Sequence, residues 1–199
     1  MGEIKSICLF CGSSKGNNSE YLDSAYETGK LLAEKGIGMV YGGGNVGLMG
    51  MAAKGALENG GKVTGVITEK LMDMEVGHTG LTEMKVTSSM HERKAMMNKL
   101  SDGFLVLPGG IGTIEETFEM FTWYQLGDIE KPIGLLNVNG YYSGLIEFLK
   151  NVVANGFLRE EHLEYLIVEK KPVELIKRIT NSNVKHLEKW FDRDKNIIK

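Results

Sequence analysis

The stretch VLPGGIGTIEE, residues 106–116, holds the residues of this chain whose types and spacing are best suited to chemistry. Glycine is costly to order on folding, so three glycines within residues 109–112 indicate a backbone that must come close to something. The loop follows an apolar run and precedes a helical pattern, and N–H groups at the start of a helix bind phosphate. No Gly-Lys-Ser/Thr follows, so this is not a Walker A loop. We favour a phosphate site over a tight turn that merely needs glycine.

Two adjacent glutamates, Glu115 and Glu116, follow the glycines. Thr113 and Glu116 have the spacing of a capping box, in which Thr113 is the N-cap and Glu116 the third helical residue. That interpretation explains Glu116 without catalysis. A carboxylate near a bound phosphate is repelled by it, so a glutamate here also suits a substrate that develops positive charge. The residues alone leave both interpretations open.

A second basic and apolar stretch, SMHERKAMMNKL, contains an arginine at an unusual position. Arg93 lies three residues after Met90 and four before Met97, so it shares their helical face. Either its aliphatic part covers the edge of the apolar stripe and its charge reaches water, or its guanidinium turns towards a site and contacts an anion or leaving group. The histidines have no partner at helical spacing, and we predict no metal site.

Residues Gly42–Gly47, GGGNVG, match the pattern G-x-G-x-x-G. With Glu69 downstream to meet a ribose hydroxyl, this pattern indicates NAD binding and an NAD-dependent oxidoreductase. However, the fingerprint normally follows the first strand, and here it follows the second. We keep NAD as an alternative. From their positions at strand ends, Ser13, Gly43 and Gly44 are expected to approach a nucleotide ligand.

The two cysteines, Cys8 and Cys11, occur in the stretch CLFC. They could form a redox pair or half of a zinc site, or be two small residues at the end of a strand. A zinc site needs further ligands at matching spacing. A redox pair normally opens a helix, whereas Cys8 lies in a predicted strand. We therefore interpret both cysteines as structural.

Apolar strands alternate with helices along the chain. Strands are predicted at IKSICLF, GIGMVY, GKVTGVI, LTEMKVT, GFLVLP and KPIGLLNV. Helices are predicted over residues 19–35, from the turn GGGNVGLMG to residue 58, and over residues 88–100, 113–126 and 141–155. Residues 70–80 are predicted to be irregular, and residues 170–199 to form a polar helical tail. The pattern predicts one α/β domain over residues 1–199, a Rossmann-like three-layer sandwich with a mainly parallel sheet. Ligands of such sheets bind at the carboxyl ends of strands, where the strand order reverses.

Composition excludes several classes of protein. Of 199 residues, 42% are apolar and 25% charged, with a net charge of −3, which is typical of a soluble globular protein without affinity for nucleic acid or membrane surfaces. No window reaches the ~18 apolar residues of a membrane span. The first residues do not have the pattern of a secretory signal. We expect a cytoplasmic protein.

Three stretches together resemble a known family: SMHERKAMM, LPGGIGTIEETFEMFTWYQLG and KPIGLLNVNGYYSGLIEFLKNVVANGFL. They are similar to the LOG family, the cytokinin riboside 5′-monophosphate phosphoribohydrolases. The family hallmark P-G-G-x-G-T-x-x-E falls on residues 108–116, after an arginine–lysine pair at Arg93 and Lys94. The resemblance runs from CLFCGSSKG to about His162.

The resemblance implies a Rossmann-like homodimer without metal or cofactor. It also implies hydrolysis of the N-glycosidic bond of an adenine-type nucleoside 5′-monophosphate, with Glu116 and Arg93 as catalytic residues. Glu116 would stabilise the cationic ribose of an oxocarbenium-like transition state. The glycines, including Gly109, would cradle the 5′-phosphate. The implied substrate contacts are Glu75, Arg93, Lys94, Gly110, Ile111, Gly112, Thr113, Ile114, Glu115, Glu116 and Thr122.

Some alternatives stay open on sequence alone. A nucleotide-binding protein without catalysis would keep the phosphate loop, and a nucleosidase for plain AMP would keep the chemistry. The label lysine decarboxylase, often given to this family, has no support, because nothing marks a pyridoxal-phosphate lysine. Met90, Met97, Phe121 and Trp123 suit either an apolar base pocket or the core. The stretch FEMFTWYQL suits either a dimer interface or a core helix.

Overall fold

The computed structural model describes residues 3–74 and 77–184, and within them seven parallel strands form one sheet in the order β4-β3-β2-β1-β5-β6-β7. The strands are β1 Ser6–Phe10, β2 Gly38–Tyr41, β3 Val63–Thr68, β4 Glu83–Thr87, β5 Gly103–Val106, β6 Ile133–Leu136 and β7 Leu166–Glu169. The strand order reverses between β1 and β5, which pair with each other at the centre. This confirms the predicted α/β class and places the expected ligand crevice beyond the carboxyl ends of these two strands.

Helices cover both faces of the sheet. They are α1 Ser19–Glu34, α2 Gly47–Glu58, α3 Glu69–Met74, α4 Met90–Lys99, α5 Ile111–Leu126, α6 Ser143–Ala154, α7 Glu160–Glu164 and α8 Pro172–Thr180. Helices α1, α2 and α8 share one apolar cluster with the sheet, and α4, α5 and α6 share the other. Among the described residues, no helix is both long and apolar enough to cross a membrane.

Strand β1 is apolar from Ile7 to Phe10 because both of its faces are buried there. Ile7, Leu9 and Cys11 pack in the layer of α1 and α2, whereas Cys8 and Phe10 pack in the opposite layer. Alternate residues of a strand point to opposite faces. The two cysteines are therefore separated by the sheet, and both are free and buried. This excludes the redox-pair interpretation in this fold.

Helices α1 and α2 pack with their backbones in close approach. A side chain at Gly29 would collide with the carbonyl of Ala52, and one at Gly55 with the carbonyl of Tyr26. This contact holds α2, and the loop that precedes it, against the sheet. It fixes one wall of the crevice.

Three segments differ from the sequence prediction. Residues 70–80 were expected to be irregular, but Glu69–Met74 forms helix α3. Helix α7 and strand β7 were not predicted at all. The predicted polar tail contains helix α8, which buries Leu175, Ile176 and Ile179 in the core. The remainder of that tail, residues 185–199, lies outside the described residues.

Candidate active site

Helix α5 starts directly at the glycine-rich loop, and Gly110, with extended backbone, is its N-cap. The prediction that Thr113 is the N-cap was wrong. Thr113 lies buried in the first turn, where its hydroxyl occupies the space that a side chain at Gly109 would need. Glu116 therefore lies in the second turn and cannot be the third residue of a capping box. The capping-box explanation of Glu116 is lost.

The first N–H groups of α5 are free to bind a ligand. No side chain caps this helix, and in the described part of the chain no group accepts a hydrogen bond from the N–H of Ile111, Gly112 or Thr113. A Cβ at Gly110 or Gly112 would meet nothing within 4 Å. These residues line a cavity of about 340 Å³. Free N–H groups at the positive end of a helix favour an anion there.

Arg93 points into the same cavity from helix α4, whose N-cap is Ser89. Only 7% of the arginine is exposed. Its Nε donates to the carbonyl of Val66 at 2.9 Å, and its Nη1 donates to Glu116 Oε1 at 2.7 Å. The guanidinium is thus held between β3 and α5 rather than in water. Of the two interpretations of Arg93, the structure supports the one that turns it towards the site.

Glu116 is the buried partner of this arginine, with 12% of its side chain exposed. Burial raises the pKa of the Glu116 carboxyl, while the charge and hydrogen bond of Arg93 act to lower it, and the net direction is upward. A carboxylate that is desolvated but held by one cation is well suited to stabilise a developing cation or to take a proton from water.

Lys94 lies next to the cavity without lining it. Its Nζ is 2.6 Å from Glu115 Oε1 and 2.9 Å from Glu119 Oε2. Burial acts to lower the pKa of Lys94, but these two carboxylates reverse the effect and raise it. Together with the Arg93 pair, this triad fastens α4 to α5. Lys94 also offsets negative charge close to the free N–H groups.

The structure places most of the predicted site residues at the cavity and a few of them away from it. The cavity is lined by the predicted residues Ser13, Arg93, Gly110, Ile111, Gly112, Thr113, Glu115 and Glu116. Ile114 and Lys94 belong to the same helices but do not line it. Thr122 is exposed on α5 and donates to the carbonyl of Phe118, away from the cavity. Glu75 lies outside the described residues.

Four residues at the cavity were not identified as site residues from the sequence: Cys11, Gly12, Met49 and Leu71. Cys11 and Gly12 follow the central strand β1, and the position of that strand at the order reversal was the available signal. Cys11 is unsuited to nucleophilic chemistry, because burial, and then the Glu116 carboxylate, raise the pKa of its thiol. Of the residues considered for a base pocket, Met90 lines the cavity, whereas Met97 is buried in the core.

The second glycine loop is used differently from a dinucleotide fingerprint. The N–H groups of Leu48 and Met49, at the start of α2, both donate to the carbonyl of Gly12. The helix start that a pyrophosphate would need is therefore occupied by the chain itself. Gly43 accepts from the N–H of His78, and Gly44 pairs with Gly77. These contacts disfavour NAD binding at this loop.

The described residues contain no group of three or more His, Cys, Asp or Glu side chains arranged to hold a metal ion. The site consists instead of free backbone donors, one arginine and carboxylates. In a parallel α/β sheet with this crevice at its centre, these features define a Rossmann-like protein with an anion site at the carboxyl ends of its central strands.

Comparison with known proteins is consistent with that class. A family model described as "Possible lysine decarboxylase" matches residues 49–179. The chain is 45% identical over 184 residues to rice (Oryza sativa subsp. japonica) "Probable cytokinin riboside 5′-monophosphate phosphoribohydrolase LOGL2", covering 92% of this chain and 75% of that protein. It is 43% identical to Arabidopsis thaliana "Cytokinin riboside 5′-monophosphate phosphoribohydrolase LOG1", covering 92% and 86%. The chain belongs to this LOG family.

Solved structures share the fold at lower sequence identity. The molybdenum cofactor binding protein from Rippkaea orientalis is 24% identical, with a TM-score of 0.65 over 87% of this chain and 96% of that chain. The Moco carrier protein from Chlamydomonas reinhardtii is 22% identical, with a TM-score of 0.66 over the same shares. At this level of identity, the likeness supports the Rossmann-like architecture alone.

Proposed function

We propose that this protein is a nucleoside 5′-monophosphate phosphoribohydrolase. It hydrolyses the N-glycosidic bond of cytokinin riboside 5′-monophosphates, and of AMP, to a free adenine-type base and ribose 5-phosphate. The observation that carries the proposal is the cavity in which the buried Arg93–Glu116 pair faces the uncapped start of α5. An anion site and a desolvated carboxylate in one cavity match a substrate with a phosphate at one end of its ribose and a cleavable bond at the other.

The chemistry follows from the charges. The 5′-phosphate binds the N–H groups of Ile111, Gly112 and Thr113, which fixes the ribose beside α5. As the glycosidic bond breaks, positive charge develops on the ribose ring. The Glu116 carboxylate stabilises that charge and orients or deprotonates the attacking water. Arg93 favours the ionised form of Glu116, because its charge and hydrogen bond act to lower the pKa of that carboxyl, and it steadies the ribose or the departing base.

The charge balance supports one anion at this place. Glu115 and Glu116 both line the cavity and would repel a phosphate. Each carboxylate is paired with a cation, Lys94 and Arg93 respectively, at 2.6 and 2.7 Å. The names of the two plant relatives give the substrate class, and the match to each covers 92% of this chain.

We also infer a cytoplasmic homodimer from the family resemblance. The subunit's own core accounts for much of the stretch FEMFTWYQL, since Met120, Phe121 and Tyr124 are buried. Leu126, at 48%, and Phe148, at 60%, stay exposed and suit a subunit interface. Light scattering of the purified protein tests the dimer, and a mass of one chain would contradict it.

The test of the activity is chromatographic. Purified protein is incubated with AMP and, separately, with isopentenyladenosine monophosphate, and free base and ribose 5-phosphate are quantified. We expect both products in equal amounts, and the ratio of the two rates measures the preference for a prenylated base. Glu116→Gln is the control, which should bind ribose 5-phosphate and lose most turnover. Tight AMP binding without any base release would favour a nucleotide-binding protein without catalysis.

A further inference from the structure

Two adjacent tyrosines reach from the end of β6 to the loop that precedes α5. The hydroxyl of Tyr142 donates to the carbonyl of Leu107 at 2.7 Å, and the hydroxyl of Tyr141 donates to the carbonyl of Gly109 at 2.6 Å. Tyr142 is 2% exposed, so its hydroxyl is committed to this contact. Two hydroxyls thus hold carbonyls that are two residues apart in one loop.

The carbonyl between them is held as well. Pro108 accepts a hydrogen bond from the N–H of Gly12 at 3.0 Å, just after the central strand β1. Three consecutive carbonyls, of residues 107–109, are therefore each bonded to a donor outside the loop. The N–H groups that come next, of residues 111–113, are the free donors at the start of α5.

This arrangement matters because a backbone loop binds an anion only when its N–H groups face the ligand and its carbonyl oxygens do not. A carbonyl that turned towards the cavity would place a negative partial charge beside the phosphate. The carbonyls of Pro108 and Gly109 share their peptide planes with the N–H groups of Gly109 and Gly110, so holding them fixes the direction of those two N–H groups. It also anchors the chain directly before the free donors of α5. This orientation exists before any ligand arrives, so binding does not have to order the loop.

The tyrosines are themselves held in position. The N–H of Tyr142 donates to Asn137 Oδ1 at 2.7 Å, and Asn137 is buried at the end of β6. The ring of Tyr141 packs edge-on against the rings of Tyr21 and Tyr142. Tyr141 lines a neighbouring cavity of about 260 Å³, not the one that holds Glu116. The two cavities share Gly12, Ser13 and Gly110, and the hydroxyl of Tyr141 is engaged by the Gly109 carbonyl, so we expect its effect on the ligand to pass through the loop.

We propose that Tyr141 and Tyr142 are positioning residues for the phosphate of the substrate: their hydroxyls hold the carbonyls of Gly109 and Leu107 away from the anion site. The inference rests on the proposed function, because it assumes that the start of α5 binds the 5′-phosphate. It adds residues outside the P-G-G-x-G-T-x-x-E motif to the machinery that recognises a nucleoside monophosphate.

The test is Tyr141→Phe, which removes one hydroxyl and keeps the ring against Tyr21. Titration calorimetry measures the affinity for ribose 5-phosphate and for adenine, the phosphate-free product, and steady-state kinetics measures KM and kcat for AMP. We expect affinity for ribose 5-phosphate to fall about three- to tenfold, the range that one hydrogen bond carries. KM should rise by a similar factor, with kcat and adenine affinity nearly unchanged. If the hydroxyl served folding alone, Tyr141→Phe would lower the melting temperature, and the affinities for ribose 5-phosphate and adenine would change by the same factor.

Tyr26→Phe is the matched control, since its hydroxyl bonds the exposed carboxylate of Glu58 on α2, outside both cavities. Tyr142→Phe is the second variant and should repeat the loss for the phosphorylated ligand, with a lower melting temperature because its hydroxyl is buried. Wild-type protein that binds no ribose 5-phosphate would contradict the proposed function itself. Wild-type binding that Tyr141→Phe leaves intact, or an equal loss for adenine, would overturn this inference alone.

Discussion

Gly42 leaves the space in which the guanidinium of Arg93 lies: a Cβ at position 42 would be 2.6 Å from Arg93 Nη2 and 3.0 Å from Met49 Sδ. The end of β2 thereby completes a socket whose other sides are the Val66 carbonyl and the Glu116 carboxylate. The first glycine of the G-x-G-x-x-G match is therefore used to admit an arginine. Gly42 therefore borders the proposed catalytic pair of Arg93 and Glu116 rather than a dinucleotide-binding site.

Gly42→Ala should lower activity while the fold is kept. The φ angle of Gly42 is not in the left-handed region, so alanine brings no backbone strain there. The new methyl group instead displaces Arg93 from Glu116, and misplacing a catalytic group by about 1 Å costs on the order of 100-fold in rate. Steady-state kcat/KM with AMP checks this. Gly144→Ala is the control, because a Cβ there meets nothing within 4 Å.

The charge pair should show strong coupling in stability. Arg93→Met leaves the Glu116 carboxylate buried without its cation, which typically costs about 3 kcal/mol. The double variant Arg93→Met with Glu116→Gln should recover most of that loss, because no unpaired charge remains. Urea unfolding of the wild type, both single variants and the double variant measures the coupling. Additive losses would mean that the two side chains do not act as a pair in solution.

The pH dependence of activity follows from the raised pKa of Glu116. Turnover needs the carboxylate, so kcat/KM should fall as the pH drops through that pKa, on an acid limb above the ordinary glutamate value of 4.5. Glu116→Gln should remove this limb from any residual activity. A pH–rate profile with a plateau down to pH 4.5 would contradict the assignment.

Stability should change in the opposite direction over the same window. Between the ordinary value of 4.5 and the raised folded pKa, the folded protein holds the Glu116 proton more tightly than the unfolded chain does. The contribution of Glu116 to the free energy of unfolding therefore decreases as pH rises through this window and is constant above it. The difference between wild type and Glu116→Gln in urea unfolding isolates this contribution.

Much of the fold could be predicted from local pattern, and the misses have physical causes. Strand β1 was clear because an apolar run of this length needs burial on both faces. Strand β7 has only four residues, LIVE, and exists through its pairing with β6, in which Ile133 lies beside Leu166. Such pairing joins segments far apart in the chain, and local composition does not encode it.

The candidate site, like the fold, could be predicted where it depends on local sequence and not where it depends on long-range packing. Arg93 and Glu116 could each be identified as candidate site residues from the sequence. Their contact, however, joins residues 23 positions apart on two helices, so it depends on how α4 and α5 pack. Helical geometry separates Thr122 from Glu116, because six residues correspond to about 600° of rotation, which is about 120° short of two full turns. Leu71 was missed because helix α3, which carries it, was predicted to be irregular.

Gly112→Ala should make the protein more stable and less active. Gly112 lies in the first turn of α5, its φ angle is not in the left-handed region, and a Cβ there would meet nothing within 4 Å. Alanine in a helix is favoured over glycine by about 0.5–1 kcal/mol, so the free energy of unfolding should rise. Gly112 lines the cavity, so the same methyl group adds bulk beside the free N–H groups, where the 5′-phosphate is proposed to bind. Affinity for ribose 5-phosphate should fall at least tenfold, since a phosphate held by backbone donors tolerates no atom between them. Thermal unfolding and calorimetry on one preparation measure both effects. A variant that gains stability and keeps its affinity would show that the start of α5 is not where the anion binds.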